Sequence, residues 1–180
     1  EAGGEIFIDV NAPGKAFGEW VEHHYHTPSL TAEQVQALQQ QGANIAVLDV
    51  RRFDEFQTMS IPGGVSVPGG ELALRLRDVV PDEKTHIVIN CAGRTRSIIG
   101  TQSLINAGVK QPVTALRNGT IGWTLAGQAL AHNQLAHFPE LSESARTFAL
   151  KGAQALAIRA GVRSVTLSQI HDWQRDDSRT

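Results

Sequence analysis

The only cysteine of the chain, Cys91, follows the apolar run His86-Ile87-Val88-Ile89-Asn90 and opens the segment Cys91-Ala92-Gly93-Arg94-Thr95-Arg96. A β-branched run, a glycine-containing turn and then an apolar-periodic stretch read as strand, loop and helix. Inward N–H groups of such a loop, the positive end of a helix starting near Ser97, and the guanidinium groups of Arg94 and Arg96 would together stabilise an anion. That anion could be the thiolate itself, the form in which cysteine is a nucleophile. A solitary cysteine serving only as a small buried hydrophobe is the plainer alternative. The strand-to-helix placement beside two arginines favours the nucleophile, so the chemistry to expect is covalent catalysis at sulfur.

Other chemistry-bearing residues are fewer. Asp49 and Arg51 close an earlier strand and could tune the loop, although a structural ion pair or cap accounts for them equally well. His23, His24 and His26 crowd around Tyr25, but they stand in a connector without a cysteine and read as a solvated linker, so no metal site is expected. Trp123 reads as a core aromatic. With one cysteine, neither an intramolecular disulfide nor a multi-cysteine zinc site can form.

Positioning these residues falls to alternating strand and helix signals. A helix over Thr31–Gln41 ends at Gly42, followed by the buried strand Ile45–Val50 and a turn-rich segment. In that segment Ile61 to Pro68 leads a strand-like piece and a short helix around Glu71–Asp78, and the strand before Cys91 comes next. A helix over Ser97–Asn106 closed by Gly108, a strand over Val113–Leu116 and a helix around Trp123–Ala131 complete the alternation. The pattern predicts an α/β fold, a central largely parallel sheet flanked by helices on both faces. Ligands of such sheets bind outside the carboxyl ends of the strands, where Cys91 lies.

The 180 residues suffice for one ordinary domain with material left over. A net charge of −2 with 19% charged residues offers no footprint for nucleic acid or an anionic membrane. No apolar run approaches the roughly 18 residues of a membrane span, and the expectation is a soluble, cytoplasmic protein. Glu1 in place of an initiator suggests a piece of something longer, and an internal repeat agrees. Ser29 to Gln39 aligns with Ser164 to Gln174, each copy carrying a capping-box signature, Thr31 with Gln34 and Thr166 with Gln169. Chance similarity between two amphipathic helix starts is the alternative.

Ordered motifs now carry a resemblance. Asp49-Val50-Arg51, Glu55-Phe56, Ile61-Pro62-Gly63, the loop Cys91 to Arg96, and Gly119-Thr120-Ile121-Gly122-Trp123 together resemble a rhodanese domain. Met59-Ser60 departs from the Gly-His that many members carry before Ile-Pro-Gly. The resemblance implies a tandem arrangement: residues 1–27 as tail and connector of a preceding module, 28–138 as the catalytic domain, 139–163 as a helical connector, and 164–180 as the start of a following module. In that connector Ala145, Phe148, Ala149, Gly152, Ala153 and Leu156 share one helical stripe.

The implied activity is thiosulfate sulfurtransfer without a cofactor. Cys91 would carry a persulfide, the amides of Ala92, Gly93, Arg94, Thr95 and Arg96 would hold the anionic states, and the two arginines would pair with sulfonate oxygens unless they turn to solvent or to a carboxylate such as Glu71. Asp49, Arg51 and Ser97 would support the loop. The partners implied are a thiosulfate donor, a cyanide or thiol acceptor, and neighbouring rhodanese modules. Rival readings are a noncatalytic partner-binding or regulatory module, and a cysteine-dependent phosphatase or arsenate reductase. The latter would want arginine where Ser97 stands and histidine where Asn90 stands.

Overall fold

A computed structural model describes residues 13–176, so the expected tail before Pro13 and the last residues, 177–180, lie outside the described residues. The element order is α1 (Pro13–Tyr25), β1 (Ser29–Leu30), α2 (Ala32–Gln40), β2 (Ile45–Asp49), α3 (Phe53–Thr58), β3 (Val65–Ser66), α4 (Leu72–Val79), β4 (His86–Asn90), α5 (Thr95–Asn106), β5 (Val113–Leu116), α6 (Gly119–Leu125), α7 (Glu143–Arg159) and α8 (Leu167–Gln174). All strand pairs are parallel, in the order β1-β5-β4-β2-β3. The expected sheet with helices on both faces is what forms.

Side chains alternate across the central strands, as the period of two requires. Leu48, Ile87 and Ile89 enter one cluster with Leu72, Leu76 and Leu104 from α4 and α5. Val47 and Val88 point to the opposite face, where they meet Val35 of α2 and Trp123 of α6. Both faces are therefore buried, and β2 and β4 read as unbroken apolar runs for that reason. Trp123 is the core aromatic expected, with its indole Nε1 donating to the Ala129 carbonyl at 3.0 Å.

Local chemistry explains most element ends. Thr31 and Gln34 form the reciprocal capping box that starts α2, and Thr166 and Gln169 do the same for α8. Ser142 caps α7 and also donates from its hydroxyl to Asp78 at 2.6 Å, which ties that helix to α4. Along α7, Gly152 comes so close to α5's end that a Cβ there would lie 2.9 Å from the Ala107 carbonyl oxygen. Small residues on the expected stripe are what permit this approach.

Three expectations need correction. The turn-rich stretch after Arg51 contains α3, started by Glu55, whose carboxylate accepts from the Arg52 N–H at 3.2 Å. The last domain helix spans Gly119–Leu125 and not Trp123–Ala131, because Gln128 N–H bonds back to Trp123 and Gly127 N–H to Thr124, a closure that ends a helix. Pro13–Tyr25, expected as connector, is a helix whose Val21 packs on Ile98 of α5 and Ala115 of β5. No helix among the described residues is long and apolar enough to cross a membrane.

Candidate active site

Cys91 follows β4 at the carboxyl edge of the sheet and is 2% exposed. It borders a cavity of about 270 Å³ whose wall is the loop from Ala92 to Arg96, completed by Lys15 of α1 and Ile121 of α6. Helix α5 starts two residues earlier than expected, at Thr95, so the loop runs straight into a first helical turn.

The loop carbonyls are held from behind. Cys91 O accepts from the Thr120 N–H at 2.9 Å and from its hydroxyl at 3.1 Å, and Ala92 O accepts from the Ile121 N–H at 3.1 Å. Gly119 makes this contact possible: a Cβ there would stand 2.3 Å from Cys91 O, and its φ of +53° is one that side chains rarely adopt. Two of the loop's carbonyls, Cys91 O and Ala92 O, are thus occupied by α6. Among the described residues, the N–H groups of Ala92, Gly93, Thr95 and Arg96 donate to no backbone carbonyl. An anion in the cavity is the partner that would satisfy them.

Beneath the loop runs a buried polar chain. The register of β2 on β4 sets Asp49 opposite Asn90. Arg51 grips Asp49 through Nε to Oδ1 at 2.9 Å and Nη2 to Oδ2 at 2.8 Å, and Nη2 also donates to the Met59 carbonyl. Asn90 Nδ2 then donates to Asp49 Oδ2 at 2.7 Å and to Thr120 Oγ1 at 3.2 Å, and Thr120 in turn holds Cys91 O. Asp49 and Arg51 thus form an ion pair that reaches the loop only through Asn90 and Thr120, two residues the sequence reading did not single out as supports.

At the rim, both loop arginines are already engaged. Arg94 forms an ion pair with Glu22 of α1, and Arg96 forms a bidentate pair with Glu55 of α3 at 2.8 and 2.9 Å. Both guanidiniums border the cavity while resting on carboxylates, the alternative the sequence had left open for them, with Glu22 and Glu55 as the partners. Glu71, the carboxylate suggested instead, pairs with Arg75. The Arg96 hydrogen bonds hold the Glu55 carboxyl down to about 2, and the same bonds raise Arg96 above its ordinary range. Ser97 donates its hydroxyl to the Arg94 carbonyl at 2.8 Å and so fastens the junction of loop and helix, not the cavity floor.

The sequence reading missed Glu22, Glu55 as an ion-pair partner, Asn90, Thr120 and the contact at Gly119. Glu55 and Gly119 lay within the motifs quoted for the family, which was the available signal. Of the histidines of α1, His24 stacks on Trp20 with ring centroids 4.6 Å apart.

A parallel sheet with a cysteine loop at its carboxyl edge defines a rhodanese-like α/β protein, and the chain belongs to the rhodanese-like domain family, which matches residues 31–126. Over 99% of its length it is similar to the crystal structure of a thiosulfate sulfurtransferase from Pseudomonas aeruginosa, with 60% identity and a TM-score of 0.89, and it covers 34% of that chain. It is also 27% identical over 124 residues to a putative sulfur carrier protein of Bacillus subtilis, covering 69% of this chain and 64% of the relative. An HTH-type transcriptional regulator of Mycobacterium tuberculosis is 31% identical over 87 residues, 48% of this chain and 38% of its own. The chain therefore spans from about a third to just under two thirds of these relatives.

Proposed function

We propose that this chain is a sulfurtransferase module that moves the sulfane sulfur of thiosulfate through a persulfide on Cys91 to cyanide or a thiol. The observation that carries the reading is the cup at Cys91: a cysteine at the end of a central strand, bordered by the loop Ala92 to Arg96, whose first carbonyls, Cys91 O and Ala92 O, are bonded to α6. Likeness to the Pseudomonas thiosulfate sulfurtransferase over nearly the whole chain supports the same reaction class.

In the first step the Cys91 thiolate attacks the outer sulfur of thiosulfate. A bond forms between Sγ and that sulfur, the thiosulfate S–S bond breaks, and its electron pair leaves on sulfite. In the second step cyanide attacks the outer persulfide sulfur, thiocyanate departs, and the thiolate is restored. A thiol acceptor would take the sulfur in the same manner as its thiolate. Charge stays negative throughout, so preorganised amide donors of Ala92 to Arg96 stabilise each state. The paired arginines shape the rim. With no second cysteine in the chain, unloading falls to an outside acceptor, and adjoining rhodanese modules of a longer protein are part of this proposal.

Intact mass before and after thiosulfate, with Cys91→Ser as control and cyanide as a chase, tests it. Gain of one sulfur atom by the wild-type chain alone, removed as thiocyanate, is the result expected. A reduced wild-type chain that takes up no sulfur would sink the thiosulfate reading.

A further inference from the structure

Helix α1 lies outside the residues that match the family, yet its Lys15 lines the cavity. Lys15, Gly18, Glu19 and Glu22 recur at helical spacing on a single face. The exposed aromatics Phe17 and Trp20, with His24, lie on the opposite side of the helix. Three contacts fasten the first face to the reactive loop and α5. Gly18 sits so close to Thr95 that a Cβ would meet Thr95 Cγ2 at 2.8 Å. Glu22 holds Arg94, and Thr27, just past the helix, donates to Gln102 of α5 at 3.0 Å. So fixed, α1 places Lys15 in the wall of the cavity that Cys91 borders.

We infer that Lys15 is a specificity-determining residue that receives the charged end of an anionic sulfur donor. The inference deepens the proposed function and rests on it for the donor's identity. Arg94 and Arg96 also border the cavity, but each rests on a carboxylate that already offsets part of its charge. Lysine differs: a compact charge on a flexible four-carbon stem can exchange its resting partners for an incoming anion. While the loop amides hold the reacting sulfur, Lys15 would hold the sulfonate group that leaves as sulfite. A dianion gains more from this arrangement than a monoanion, so Lys15 favours thiosulfate over donors of lower charge.

The test compares Lys15→Gln and Lys15→Arg with the wild-type chain, using thiosulfate and the singly charged methanethiosulfonate as donors. Lys15→Gln should raise KM for thiosulfate about three- to tenfold, the size of one partly screened charge interaction, with little change in kcat and a smaller effect on methanethiosulfonate. Lys15→Arg should retain most of the preference. A second readout needs no sulfur transfer: alkylation of Cys91 by anionic iodoacetate relative to neutral iodoacetamide, followed by intact mass. That rate ratio should fall in Lys15→Gln. An unchanged ratio overturns the inference, as does an equal loss of kcat on both donors with a lowered Tm, which would make α1 purely structural. If the wild-type chain accepts no sulfur from thiosulfate, the proposed function fails, and the alkylation ratio still decides the role of Lys15.

Discussion

Two arginine–carboxylate pairs flank the reactive loop with the same chemistry and opposite surroundings. Under the loop, the side chains of Arg51 and Asp49 are 4% and 2% exposed, and their remaining polar capacity goes to Met59 O and Asn90. At the rim, those of Arg96 and Glu55 are 44% and 34% exposed and face water. A buried pair contributes little as a pair, but removing one partner strands a charge where water cannot reach it. An exposed pair is screened, so losing it costs little. The floor therefore serves as a rigid mount for Cys91, while the Arg96–Glu55 side of the rim can vary without loss of the fold.

The sharpest way to break this contrast is Asp49→Ala. It leaves the Arg51 guanidinium buried with only a carbonyl to hold it, and removes the acceptor that orients Asn90. Chemical denaturation should register a loss of about 3–5 kcal/mol. A loss below about 1 kcal/mol would mean that the floor behaves like the rim. Gly119→Ala tests the mount from the α6 side. The new Cβ would overlap Cys91 O, Gly93 O and Ala92 C, all backbone atoms that cannot rotate aside. Sulfur loading of Cys91 should slow by at least about tenfold, since roughly 1 Å of misplacement is enough for a larger loss. Loading at the wild-type rate would show that the loop tolerates displacement.

The same contrast explains what could be read from the chain alone. Central strands β2, β4 and β5 were legible because burial on both faces demands β-branched and apolar runs. The capping boxes at Thr31 and Thr166 were legible because they are local, needing only residues three apart. Cys91 and its loop stood out by residue type. The links of the floor did not: Asn90 and Thr120 acquire their roles from the β2–β4 register and from the fold-back of α6, which bring together residues far apart in sequence. Glu22 and Glu55 as arginine partners are likewise tertiary. Helix α3 escaped because six residues are too few to display a period, and α1 because its exposed aromatics obscure the narrow face that packs.

Glu55→Gln gives the smallest effect and sharpens the comparison from the other side. Arg96, through its hydrogen bonds, holds the Glu55 carboxyl down to about 2, against an ordinary value near 4.5. A carboxyl lowered by folding stabilises the native state fully above its unfolded value, and that contribution fades as pH falls from 4.5 toward 2. Both partners are more than a third exposed or close to it, so solvent screening reduces the contribution to about 1 kcal/mol or less. Neutral glutamine keeps the shape and gives up the charge. Unfolding curves of wild type and Glu55→Gln should therefore differ slightly at pH 7, draw together through pH 4, and coincide near pH 2. A gap that stayed constant over that range would trace the effect to the α3 start, where Glu55 also accepts from the Arg52 N–H, and not to the rim charge pair.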